Sequence, residues 1–573
     1  MYFQSSPKAT NTFDAIVVGT GIAGGWAAKE LTQYGRHTLV LERGREIKHG
    51  DYPTANLERW ELPHEDRIPA AEIEANYFKL QRKGYIARQH CKDLFVKDDE
   101  YPYSEKRRFD WFRGYHTGGR SIMWGRHSYR MGDLDFAANL RDGIAVDWPL
   151  RYADLAPWYD YVETFAGISG QAEGAEQLPD GQFIAPIPLN CVEEDFRRSI
   201  ANAYSGRLVT PARIANLTEY DPAKHGGTRS ACQFRNRCRR GCPFGAYFSS
   251  VSATLPVAAA SGQMDLRHHM AVKRLIYDDK EGRATGVVVR NTQSGQDEVF
   301  YSRGPIFLCA STLHSTAILM ATGQESGLEN FANTSGQLGR NLMDHHHRLG
   351  ARAFFDGHSD RYYKGRNPGG GIYIPRFTNL SSEDRRRNSF IRGFGFQGGA
   401  SRSNWMRGVQ ELNSSLGPGF KLALAQPGPW SLGITAFGEG LPDPSNRIAL
   451  NYELLDKDGL PTLTIDAAFG ENERQMRKAM KVAAAEMLEA AGGREVTPYE
   501  TEAHPGHSIH EMGTARMGRD ARSSVLNAHN QVWDCPNVYV TDGAAMTSAG
   551  CTNPSLTYMA LTARAVAHAC EGG

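Results

Sequence analysis

Phe13-Asp14-Ala15-Ile16-Val17-Val18 is a largely apolar run, the pattern of a strand buried on both faces. It leads into Gly19-Thr20-Gly21-Ile22-Ala23-Gly24-Gly25 and a helical stretch from Trp26 to Tyr34 that Gly35 stops. A second strand, His37 to Leu41, ends at Glu42, completing a β-α-β unit. Beyond Arg43 the pattern fades, and the polar segment 46–109, rich in Tyr, Pro and charge, reads as an excursion over the surface. A helix is predicted from Trp148 to Ile168, strands at Ala271–Tyr277, Ala284–Val289, Glu298–Tyr301 and Pro305–Cys309, and a helix over Thr312–Met320. Between 346 and 470, short apolar runs split by Gly, Pro and Asn predict an antiparallel sheet. A helix over Glu471–Ala491, a strand at Val538–Val540 and a last helix from Pro554 to Ala569 follow. There is no repeat of fixed period.

A chain of 573 residues is too long for one core, so at least two domains are expected. Lys and Arg (65) nearly cancel Asp and Glu (64), which argues against a nucleic-acid binder. No segment approaches the ~20 apolar residues of a transmembrane helix. Met1-Tyr2-Phe3-Gln4-Ser5-Ser6 resembles the remnant of a cleavable tag and is set aside. The 9 cysteines are odd in number and mostly dispersed, unlike a disulfide framework.

Gly19, Gly21 and Gly24 form a Gly-x-Gly-x-x-Gly turn that follows a strand and opens a helix. Gly19 permits the tight turn, Gly21 lets the backbone approach a pyrophosphate, and Gly24 allows close helix–strand packing. The helix amino terminus directs free N–H groups at the phosphates, and Glu42 is placed to accept from a ribose hydroxyl. These residues point to NAD or FAD without choosing between them.

At the other end of the chain, Pro554 suits the first position of the last helix and Asn553 its N-cap. A helix so aimed stabilises an anion such as a reduced isoalloxazine. His510, within His510–Gly518, has the chemistry of a general base for alcohol oxidation. An amide such as that of Asn553 would hold the developing alkoxide. Glu511 and Arg516 are candidate supports for His510. His504 and His507 precede it at three-residue spacing, but Pro505 and Gly506 break the helix that a metal site would need.

Together these residues resemble the glucose–methanol–choline (GMC) oxidoreductase family over essentially the whole chain. Gly19–Gly25 with Glu42 is similar to its FAD fingerprint, and Thr117-Gly118-Gly119-Arg120 through Gly125 to its flavin-adjacent glycine motif. Ala310–Ser315 and Gly339–His345 resemble two further shared stretches. The resemblance implies an α/β fold with a Rossmann-like FAD-binding domain assembled from 11–45, 110–135, 265–345 and 505–570. Residues 136–264 and 346–504 would form a substrate domain on an antiparallel sheet. It implies His510 and Asn553 as the catalytic pair, and Gly118, Gly119, Asp542 and Pro554 as further cofactor contacts. Met123 stands where some relatives carry the histidine linked to the flavin, so the FAD is expected to be non-covalent.

Within the family the chain resembles bacterial glucoside 3-dehydrogenases and gluconate 2-dehydrogenase flavoproteins, and pyranose oxidases less so. The dehydrogenases imply oxidation of a sugar's secondary alcohol, carbon 3 of a pyranoside favoured, with electrons passed to an outside acceptor. A small partner subunit, a cytochrome c acceptor and a bacterial periplasmic location, with the cytoplasm as alternative, come from the same resemblance. An oxidase giving hydrogen peroxide and a non-redox lyase are the competing readings. Cys232, Cys238 and Cys242, close together before Pro243 and among arginines, resemble iron–sulfur ligands. Related dehydrogenases carry a 3Fe–4S cluster in a similar stretch. Three unliganded thiols are the alternative, and zinc is disfavoured for want of a fourth ligand. His345-His346-His347 point to different sides, cannot easily converge on one ion, and are expected to be family-motif and loop residues.

Overall fold

The amino-terminal apolar run forms the strand Ala15–Val18, whose four residues are all buried, at the centre of a six-stranded sheet. In the computed structural model, which describes residues 11–83, 88–328, 330–361, 370–402, 417–425 and 427–572, Thr38–Leu41 and Ile306–Leu308 flank it in parallel. Met264–Arg267 and Cys535–Val540 extend the sheet on either side, again in parallel. Four sequence-distant segments thus build one sheet, as a doubly wound fold requires. The helices Ile22–Gln33 and Ser555–Glu571 pack against each other beside it. Met270–Asp278, Arg283–Asn291 and Asp297–Ser302 form an antiparallel meander, a separate sheet that Thr12–Phe13 joins.

The expected antiparallel sheet is also six-stranded. Its order is Arg494–Glu500, Leu349–Phe355, Trp430–Gly438, Phe394–Arg402, Ile372–Ile374 and Thr210–Pro211. Trp430–Gly438 alternates buried and half-buried residues along its whole length, the period of a one-sided sheet. The long helix Glu471–Ala490 covers one face through Met476, Met480, Ala484, Met487 and Leu488, with most of its polar residues outward.

Segment 46–109 departs from the expected surface excursion. Ile68, Tyr77 and Leu80 bury themselves with Phe112 in a small core, and Ser104–Glu105 joins a three-stranded sheet with Pro461–Asp466 and Arg447–Leu455. Its scattered aromatics carry no period to announce this packing. Among the described residues no helix is long and apolar enough to cross a membrane.

Candidate functional site

A cavity of about 1020 Å³ runs from the first glycine turn to the carboxyl-terminal histidine loop. Gly19, Gly21, Glu42, Gly119, Asp542, His510, Asn553 and Pro554 all border it. At one end the backbone is tightly specified. Gly19 has φ +97°, and a Cβ there would lie 2.5 Å from the Cys309 carbonyl oxygen. A Cβ at Gly24 would lie 1.9 Å from the Gly19 oxygen, so helix and turn touch only because Gly24 is bare. Gly21 differs: nothing stands within 4 Å of its Cβ position, which faces open space. The helix Ile22–Gln33 that starts here has no side-chain cap and no acidic residue in its first turn, leaving its amino-terminal dipole unopposed.

Gly118 and Gly119 complete the cradle. Gly118, with φ +82°, donates its N–H to the Thr20 hydroxyl (2.9 Å), and Gly119 approaches the Gly21 Cα. The Thr20 hydroxyl in turn donates to Glu42, which also accepts from the Gly44 N–H (2.9 Å). Burial pushes the Glu42 carboxyl up to about 7 against these bonds. Asp542 accepts from the Ser315 hydroxyl (2.5 Å) and the Ala544 N–H (3.0 Å), while burial raises it to about 6. The helix Thr312–Glu325 therefore holds the 511–543 region: Thr312 donates to the Glu511 carbonyl (2.5 Å) and Ser315 to Asp542.

At the far end His510 and Asn553 meet, with Asn553 Nδ2 and His510 Nε2 3.4 Å apart. Asn553 Oδ1 accepts from Gln397 Nε2 (2.5 Å), which turns the Asn553 amino group toward the histidine. Asn553 is therefore not the expected N-cap: Pro554 occupies that position, and the helix proper begins at Ser555. The Asn553 side chain is spent across the cavity on the antiparallel sheet. The opposing floor is unusually bare: Gly398, Gly399 and Gly433 expose backbone between Gln397, Thr435, Phe437 and Tyr499.

The stretch Gly339–His345 sets the histidine loop. Met343 and Met512 exchange backbone hydrogen bonds of 2.9 and 3.0 Å. The buried Asp344 carboxylate accepts from the N–H groups of His510 (3.1 Å), His345 (2.9 Å) and Ser508 (3.0 Å). This places His345 Nδ1 2.8 Å from His510 Nδ1. His345 thus lies in a loop, as expected, and is a site residue as well. The three histidines do diverge, as expected: His347 turns to Ser508 (2.7 Å) and stacks on Phe437. The signal available was the Asp344-His345 pair in a shared motif; Gln397, on an ordinary strand, offered none.

The other candidates separate. Glu511 pairs with Arg120 (2.8 Å) on the cavity wall, and Arg516 donates to the Ser523 carbonyl (3.0 Å). His507 pairs with Asp110 (3.1 Å) and His504 with Glu502 (3.3 Å). Burial alone would raise Asp110, but hydrogen bonds from His507 and Arg108 outweigh it and hold the carboxyl at about 2. A depressed carboxyl stabilises the fold above its unfolded pKa and loses that effect as pH falls toward the folded one. Asp110→Asn is therefore expected to cost roughly 1–2 kcal/mol near neutral pH. In urea titrations the wild-type advantage should hold above about pH 4 and shrink below it. An advantage independent of pH would show that charge is not its source.

Cys238 is buried, and Cys232 and Cys242 are half-buried. Burial, then the neighbouring Cys242, pushes the Cys238 thiol up to about 12. Arg126 and Arg229, both buried, flank the loop. Among the described residues, however, no three His, Cys, Asp or Glu side chains converge closely enough to hold a metal. As placed, the three thiols do not form a ligand set.

Residues 13–347 and 442–562 match the two GMC oxidoreductase family models. The first alone spans more than half of the chain, and the protein belongs to the GMC oxidoreductase family, whose members bind FAD. It is 25% identical to the 2-methyl-1,2-propanediol dehydrogenase of Mycolicibacterium austroafricanum, with 96% of this chain and 94% of that one covered. It is also 25% identical to the fructose dehydrogenase large subunit of Gluconobacter japonicus, with 97% of each covered. The solved structure of a pyridoxine 4-oxidase from Mesorbium loti superposes with a TM-score of 0.57 at 17% identity, covering 96% of this chain and 98% of that one, and shares the fold. The site suits the family's cofactor on three observations: the open space at Gly21, the uncapped helix beside it, and the buried Tyr558 hydroxyl on the cavity wall, which has no hydrogen-bond partner among the described residues.

Proposed function

We propose that this protein is an FAD-dependent dehydrogenase that oxidises a secondary alcohol of a sugar or glycoside to a ketone, with carbon 3 of a pyranoside as the favoured position. The observation that carries this reading is the meeting of His510 Nε2 and Asn553 Nδ2 at 3.4 Å in the same cavity as the dinucleotide turn. Bound FAD supplies the two-electron acceptor for the hydride leaving the carbinol carbon. The protein's own part is the proton. His510 Nε2 takes it from the alcohol oxygen, and the Asn553 amide donates to that oxygen as negative charge develops.

The glycine floor and the polar groups of Gln397, Thr435 and Tyr499 support a wide, polyhydroxylated substrate, because bare backbone admits a ring and these groups can bond its hydroxyls. Gly19, Gly21, Gly24, Glu42, Gly118, Gly119, Asp542 and Pro554 would hold non-covalent FAD. A small subunit and a cytochrome c acceptor belong to the same proposal; the relative from Gluconobacter is itself named as a large subunit. A 3Fe–4S cluster on Cys232, Cys238 and Cys242 would require that loop to close around it.

The test is an anaerobic absorption spectrum of the purified protein during titration with glucosides, fructose and a simple diol. Bleaching of the flavin bands by a glycoside is the expected result. Bleaching by the diol alone would replace the sugar with a small alcohol. Peroxide formed in air at the full turnover rate would make the protein an oxidase. Flavin that stays oxidised with every alcohol would overturn the reading in favour of a non-redox lyase. Iron analysis decides the cluster separately: three irons per flavin support it, and none removes it.

A further inference from the structure

A histidine can act as a base toward a bound alcohol only if the nitrogen facing that alcohol carries a lone pair. Which nitrogen is bare depends on what the other one bonds. Here the answer follows from a chain of contacts that starts at a backbone carbonyl. His345 Nε2 lies 2.7 Å from the Gly550 carbonyl oxygen. A carbonyl can only accept, so Nε2 carries the hydrogen. Burial holds His345 down to about 4, against the pull of the Gly550 and Ala549 carbonyls, so at neutral pH its ring has a single proton. Its Nδ1 is therefore an acceptor. Facing that Nδ1 at 2.8 Å is His510 Nδ1, which must be the donor. A neutral His510 then has its lone pair on Nε2, on the cavity side, where the Asn553 amino group also points.

We infer that His345 is the positioning residue of the base: through Gly550 it fixes His510 in the Nδ1–H tautomer, with the Nε2 lone pair on the cavity side to take the substrate proton. The inference rests on the alcohol-oxidising reading above, but its structural part concerns the resting protein. When His510 accepts the alcohol proton at Nε2, its ring becomes an imidazolium with Nδ1–H still bonded to the His345 lone pair. No second proton moves, and the positive charge sits against an acceptor. His345 plays the part a carboxylate plays in a Ser-His-Asp triad, with no added negative charge beside the substrate. Its placement is enforced by Asp344, whose carboxylate bonds the backbone of both histidines. Gly550, at φ +62°, turns the accepting carbonyl toward it.

Two variants separate an acceptor's role from a filler's. His345→Gln can place a carbonyl toward His510 and an amino group toward Gly550, preserving the pattern. His345→Leu fills similar space but accepts nothing. Flavin reduction by the substrate identified above, followed anaerobically from pH 5 to 9, is expected to slow about 100-fold in His345→Leu at saturation. KM and FAD content should change little. His345→Gln should recover to within about 10-fold of wild type, with the wild-type pH profile. A leucine variant that reduces flavin at the wild-type rate would overturn the inference, and so would a glutamine variant as slow as the leucine one. Nuclear magnetic resonance on isotope-labelled histidine, with His510→Gln for assignment, reads the tautomer of substrate-free wild type directly. An Nε2–H His510 there overturns the inference even if His345→Leu does not fold. That readout is also independent of whether any alcohol reduces the flavin, so the two proposals fail separately.

Discussion

His510→Ala is expected to lower the rate of flavin reduction at saturating substrate by about 10³-fold while FAD stays bound. The side chain meets Asn553 and His345, and both of those have other anchors: Gln397 holds Asn553, and Gly550 holds His345. The loop itself is held through the His510 backbone N–H by Asp344, a contact that alanine keeps. What disappears is the basic lone pair of His510 that faces the Asn553 amide. The alcohol would then have to lose its proton to water, which supplies no base held in position for that oxygen. The check is anaerobic rapid-mixing absorbance together with the flavin-to-protein ratio of the purified variant. A near-normal rate would move the base elsewhere in the cavity, and lost flavin would make His510 a cofactor residue.

The second large effect is expected from two glycines three residues apart, which should fail in different ways. At Gly24 an added Cβ meets the Gly19 carbonyl oxygen at 1.9 Å, a contact between backbone atoms that no side-chain rotation relieves. Gly24→Val should therefore disrupt the turn and give little folded protein. At Gly21 a Cβ meets nothing within 4 Å, and the residue is an extended N-cap with negative φ. Gly21→Val should fold, with a circular-dichroism spectrum like wild type, but be isolated free of flavin because its methyl groups occupy the space before the helix amino terminus. A Gly21→Val protein that retains stoichiometric FAD would show that the cofactor does not approach this backbone. A Gly24→Val protein that folds and binds FAD would show that the turn can open.

Local pattern carried much of this protein. An apolar strand, a glycine turn and a second strand ending in Glu42 require only neighbours in the chain, so the first β-α-β unit is legible without tertiary information. The same holds for the helices at Glu471 and Ser555, whose bounds fall within two residues of expectation. His510 and Asn553 are legible only through motifs that resemble a known family, because a lone histidine and an Asn-Pro pair have no distinctive local chemistry. Tertiary structure decided the rest. Asn553 sits beside a helix start and would satisfy the rule for an N-cap; only the sheet strand that brings Gln397 across the cavity spends its side chain elsewhere. His345 lies 165 residues from His510, and their contact exists because two segments pair backbone to backbone at Met343 and Met512. A tautomer is a property of such a contact network, so no periodicity along the chain encodes it. The three clustered cysteines make the same point: among the described residues they do not converge as placed, because convergence depends on how the loop folds, not on how closely its residues are spaced.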